Sequence, residues 1–122
     1  MNILLVEDDY GVRDALTLLL EEEDHVVQTA TNGQEALTLL ESPGTLPDVI
    51  LLELAMPVMN GPEFRALQQA DPRFRDIPVI VLSADRGVAQ KALHITADAY
   101  LGKPVMLDDL IPILERFARR TS

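Results

Sequence analysis

The sequence predicts an α/β domain: a five-stranded parallel sheet, doubly wound in the order 2-1-3-4-5, with five helices on its two faces. Three observations lead there. Short apolar runs alternate with amphipathic stretches along the whole chain, the pattern of parallel strands joined by right-handed helical crossovers. The central run Val49-Ile50-Leu51-Leu52 is apolar at every position, as a strand covered on both faces requires. Polar residues gather just beyond the apolar runs, where such sheets collect their ligands.

Taken in order, residues 3–6 form the first strand. Val12, Ala15, Leu16, Leu19 and Leu20 then follow helical spacing, with Asp9 as cap and a solvated acidic run, 21–24, at the far end. Residues 26–29 make a short, more polar strand near a sheet edge. Asn32 opens the second helix with Glu35 three residues on, a capping-box spacing, and Ala36, Leu37 and Leu40 face inward. The Pro-Gly content of 42–47 marks a loop. After the central strand a helix begins near Asn60; Pro62 is tolerated in its first turn, where backbone N–H groups lack partners. Phe64 and Leu67 are its inward residues, and Asp71-Pro72 ends it. Residues 79–82 form a fully buried strand, 88–95 a fourth helix and 99–101 a short fifth strand. The last helix carries Leu107, Leu110, Ile111, Leu114 and Phe117 on one stripe, with Pro112 inside it expected to bend or delay it. Arg116, Arg119 and Arg120 complement its carboxyl-terminal dipole.

Composition narrows the function. A chain of 122 residues fits one domain, 1–122, with 48% hydrophobic and 25% charged residues. It contains no apolar run of bilayer length and no signal-peptide pattern, so the expectation is a cytoplasmic protein with no membrane partner. Without cysteine, disulfide and thiol chemistry are excluded. A net charge of −10 argues against direct nucleic-acid binding and permits a cation site or a basic protein partner. His25 and His94 are read as surface residues, since no second ligand accompanies either.

The chemistry gathers at the strand ends: Glu7, Asp8 and Asp9 after the first, Glu53 after the third, Ser83 after the fourth, Lys103 after the fifth. Carboxylates sharing one crevice repel and need a counter-charge. Lys103 supplies one and a hard divalent cation another; Mg²⁺ suits a site of one or two carboxylates with carbonyl and water ligands. A lysine and a hydroxyl beside that metal are what a transferring phosphoryl group needs.

Four segments, residues 3–9, 48–61 with a Met-Pro-x-Met-x-Gly turn, 78–84 and 97–104, together resemble the response-regulator receiver domain of two-component signalling over essentially the whole chain. The resemblance implies a flavodoxin-like fold and a set of roles. Asp8 would be a direct metal ligand, Glu7 a second acid acting mainly through water, and the Glu53 carboxylate and the Ala55 carbonyl further ligands. Ser83 would bond a phosphoryl oxygen and follow it on switching. Lys103 would pair with the phosphoryl group, its bond to Pro104 cis. Tyr100 would report the state on the face of helix 4, strand 5 and helix 5, where a downstream target docks. The phosphoryl source would be a sensor histidine kinase or phosphotransfer protein, and homodimerisation is left open.

Glu53 stands where that family carries its phosphoacceptor Asp. Glutamate is one methylene longer, and displacement by about 1 Å costs such transfers on the order of a hundredfold. Glu53 is therefore read as an engineered substitution, as a natural feature of an atypical receiver, or as an inefficient acceptor, with an ion pair to Lys103 expected. Thr96 replaces the glycine that usually ends helix 4. An alternative function is a Mg²⁺-dependent phosphatase of the haloacid-dehalogenase type. It requires a nucleophilic Asp after the first strand with a second acid two residues on and a Gly-Thr turn, which Glu7-Asp8-Asp9-Tyr10 does not offer, and no later acid pair completes its metal site. A flavodoxin-like FMN carrier would need a Ser/Thr/Gly-rich phosphate cradle that the first strand-to-helix loop lacks.

Overall fold

The computed structural model describes residues 1–121, with side chains through 118. Its elements run β1 (Asn2–Val6), α1 (Tyr10–Glu22), β2 (Val26–Ala30), α2 (Gly33–Glu41), β3 (Val49–Leu52), α3 (Gly61–Ala70), β4 (Val79–Ser83), α4 (Val88–His94), β5 (Ala99–Gly102) and α5 (Leu107–Thr121). The strands form one parallel sheet in the order β2-β1-β3-β4-β5, as the sequence predicts.

Alternate residues of the central strands feed opposite layers. Ile3, Leu5, Val49, Leu51, Ile80 and Leu82 pack against Leu16 and Leu20 of α1 and Leu110, Leu114 and Phe117 of α5. Leu4, Val6, Ile50, Leu52 and Val79 pack against Ala36 and Leu40 of α2 and Phe64 of α3. A smaller cluster, Leu54, Val81 and Ala92, lies under α4. Burial on both faces explains why β3 and β4 lack polar alternation. The register sets Val6 beside Leu52, Leu52 beside Val81 and Ser83 beside Gly102, so the strand ends share one rim.

Several local expectations shift. Leu67 is 48% exposed; the inward face of α3 is Gly61, Phe64, Arg65 and Gln68. That set is the i, i+3, i+4, i+7 stripe counted from Gly61, and Leu67 lies beyond its edge. In α1, Ala15 and Leu19 sit at the exposed margin, leaving Leu16 and Leu20 as the buried pair. At α2, Asn32 Oδ1 accepts the Glu35 N–H at 2.9 Å, but the Glu35 carboxylate turns to Thr31 instead of closing a box. The complete capping box is at α3, between Asn60 and Glu63. The helix α5 starts at Leu107 and runs through Pro112, which does not delay it. The dipole role expected of Arg119 and Arg120 falls outside the described side chains.

Candidate functional site

The aligned strand ends bring three predicted residues into direct contact. Lys103 Nζ donates to Glu7 Oε1 at 2.5 Å and to Glu53 Oε1 at 2.8 Å. The lysine side chain is 13% exposed, and those of Glu7 and Glu53 are 2% and 11%. Each carboxylate has a second anchor: Glu7 Oε2 accepts the Asp9 N–H at 3.1 Å, and Glu53 Oε2 accepts the Leu54 N–H at 2.7 Å. The expected Glu53–Lys103 ion pair is present, and Glu7 shares it.

The electrostatics follow from that triangle. Burial pushes the Glu7 carboxyl above its ordinary range and outweighs the Lys103 bond that lowers it; the Asp8 side chain adds to the rise. Burial also works against the Lys103 ammonium, yet its bonds to Glu53 and Glu7 prevail and hold it above its usual value. The lysine is therefore charged at neutral pH.

The remaining predicted residues surround this contact. Asp8 is exposed, and Asp9 caps α1, its Oδ1 accepting the Val12 N–H at 2.9 Å. Ser83 is buried, and its Oγ accepts the Asp85 N–H at 3.2 Å, within the β4–α4 loop. Ala55 is exposed in the β3–α3 turn. Tyr100 is 48% exposed on β5, lining a groove with Ala89 and Leu93 of α4 and Ile113 of α5. The Lys103–Pro104 peptide is cis, as the resemblance implies.

The β3–α3 turn is tightly held beside Glu53. A Cβ at Gly61 would meet the Glu53 carbonyl oxygen at 2.6 Å and Leu54 Cα at 2.9 Å, so only glycine fits. Gly61 N–H donates to the Leu54 carbonyl at 2.8 Å, and Gly33 N–H to that of Met59 at 2.9 Å. Within the same turn Val58 takes φ +69°, a costly conformation for a β-branched residue. A cavity of about 740 Å³ opens from Ser83 between this turn and α4, lined by Leu54, Met56, Pro62, His94 and Ile95 among others.

The donors suit Mg²⁺ in kind, because Glu7 and Asp8 have interacting carboxyls at one rim and Mg²⁺ takes only one or two protein carboxylates. No group of three or more acidic, histidine or cysteine side chains is assembled for a metal among the described residues. Lys103 already engages Glu7 and Glu53.

Two contributions escaped the sequence reading. Arg13 Nη1 donates to the Glu7 carbonyl at 3.0 Å and braces the β1–α1 loop. Its position in the first helical turn, facing back over an acidic loop, was the available signal. His25 is half-buried, with Nδ1 3.2 Å from the Met1 amino group; His94 is exposed as expected.

The profile of the response regulator receiver domain matches residues 3–115. The chain is 38% identical over 122 residues to an uncharacterised 14.6 kDa protein of Leptolyngbya boryana, covering 96% of this chain and 89% of that one. It is 35% identical over 124 residues to the response regulator MprA of Mycolicibacterium vanbaalenii, covering 100% of this chain and 52% of that protein. The chain thus spans about half the length of MprA. Among solved structures, it is similar to the receiver domain of sensor histidine kinase PA1611 from Pseudomonas aeruginosa PAO1, which has a magnesium ion coordinated in its active site cleft. The TM-score is 0.86 at 28% identity, with 95% of each chain covered. None of these similarities supports the phosphatase alternative.

Proposed function

This chain belongs to the response regulator receiver domain family of two-component signalling, and we propose that it is a non-catalytic, cytoplasmic, protein-binding switch whose acceptor position is held by Glu53. The observation that carries this reading is the single ammonium of Lys103 bridging Glu7 and Glu53. The acceptor position then holds a carboxylate already paired with a counter-ion.

That charge does not reproduce a phosphoryl group. One Glu53 oxygen is taken by Lys103 and the other by the Leu54 N–H, while Ser83 stays on the Asp85 N–H. A phosphoryl group offers nearly two charges and three acceptor oxygens, enough to recruit Ser83 as well. Glu53 therefore balances the pocket without drawing Ser83 in, and Tyr100 remains half out in solvent. This favours a receiver fixed in its resting arrangement over an imitation of the phosphorylated one. Its partners would be a sensor histidine kinase or phosphotransfer protein on the pocket side and a target on the α4–β5–α5 face.

Mg²⁺ would be held by Asp8 and Glu7 with the Ala55 carbonyl, neutralising the acidic rim and leaving positions for phosphoryl oxygens. Titrating Mg²⁺ into this chain and into Glu53→Asp, by calorimetry, tests the site. Binding by both, severalfold tighter in the Asp variant, is expected. Absence of binding by either refutes the metal site.

A further inference from the structure

A second cation is buried away from the pocket. Arg65, on the inner face of α3, is 5% exposed. Its Nε donates to the Ile95 carbonyl at 3.2 Å and its Nη2 to the Thr96 carbonyl at 2.7 Å. Its Nη1 donates to Gln68 Oε1 at 2.8 Å, and Gln68 Nε2 in turn donates to the carbonyls of Phe74 and Ile77. Alongside, Gln69 Nε2 donates to Thr96 Oγ1 at 2.7 Å.

Both carbonyls gripped by Arg65 belong to the residues that close α4. Besides Arg65, that helix is held by one small apolar cluster, Leu54, Val81 and Ala92, with Val88, Ile95 and Ala97 packed against it. It spans 7 residues, has Ala92 as its one buried residue, and starts at Gly87 without a side-chain cap. A helix this short does not persist without tertiary support. Its carboxyl end closes through Thr96 N–H to Leu93 O and Ala97 N–H to Ala92 O, the double-bonded αL stop. Thr96 occupies the left-handed position, φ +53°, which favours glycine. The amino end is tied to its own loop, by Gly87 N–H to Asp85 Oδ1 and by the exposed Lys91–Asp85 pair.

We propose that Arg65 is a positioning residue for α4. It clamps the carboxyl end of that helix to α3 and compensates for the strained Thr96 stop. A guanidinium is well matched to such a clamp, since its planar fork spans two successive carbonyls and its charge complements the helix terminus. The inference rests on the α3–α4 contacts and stands whether or not Glu53 occupies an acceptor position.

Native-state amide hydrogen exchange on the full chain tests it, with Arg65→Leu and Gln69→Ala. In Arg65→Leu, amides 93–97 should exchange at least tenfold faster relative to those of β1 and β3, with 88–90 little changed. In Gln69→Ala, whose side chain is exposed, the same amides should speed up severalfold. Unchanged protection at 93–97, or loss shared equally by the strands, would overturn the proposal. If Arg65→Leu does not fold, Arg65→Lys, which keeps the charge and loses the fork, decides: acceleration confined to 93–97 supports the clamp and none refutes it.

Discussion

Lys103 and Arg65 are both cations in largely buried surroundings, yet they are held in opposite ways. Lys103 faces two carboxylates within hydrogen-bonding distance, which hold its ammonium above the usual value despite burial. Arg65 faces carbonyl dipoles and an amide, with Asp98 4.0 Å away, and burial holds its guanidinium below the usual value. The first arrangement carries excess negative charge, two carboxylates on one ammonium. The second is saturated by fixed backbone groups and serves geometry.

The contrast breaks most visibly if the cations are removed. Lys103→Met leaves Glu7 and Glu53 without their counter-charge and should lower unfolding stability by about 3 kcal/mol, read from urea denaturation at neutral pH. A change below about 0.5 kcal/mol would mean that the carboxylates are solvated after all. On the Arg65 side, Gln68→Leu strands a guanidinium N–H and the carbonyls of Phe74 and Ile77, at a cost of about 2 kcal/mol. No loss in that variant would show that water replaces the amide. A smaller effect, about 1 kcal/mol or less, is expected for Glu53→Gln, because Glu7 still holds Lys103. A loss as large as that of Lys103→Met would remove Glu7 from the account.

The smallest effect concerns a charged contact with no carboxylate hydrogen-bonded to it. Burial, and then the Met1 ammonium, hold the His25 imidazole below its ordinary value, opposed by Glu23 and Asp24. With the folded value below the unfolded one, this contribution is present above the ordinary histidine range and is lost as pH falls through the folded value. Stability should therefore slope downward between about pH 7 and 5, and His25→Gln should flatten the slope. An identical slope in both proteins would assign it to other groups.

The sheet order, the strand placement and the Lys103–Glu53 pair were legible because each depends on a strong local signal. Runs such as Val79–Ser83 admit no other reading, and parallel register brings strand ends together without further information. The polar half of α3 was not legible. Apolarity alone favours Leu67 as an inward residue, but the helix turns Gln68 inward because carbonyls from Phe74 and Ile77 await it. A buried arginine likewise depends on acceptors some thirty residues away, at Ile95 and Thr96, which no periodicity reveals. The two Asn-Gly-x-Glu helix starts make the same point. Thr31 diverts Glu35 by offering a hydroxyl, while Glu63 has no such rival and completes its box.

The central claim, that Glu53 with its lysine partner replaces an acceptor, is tested most directly by exposing this chain and Glu53→Asp to a small acyl phosphate with Mg²⁺ and measuring intact mass. A phosphoryl adduct on the Asp variant and none on this chain is the expected result. Equal labelling of the two would contradict it.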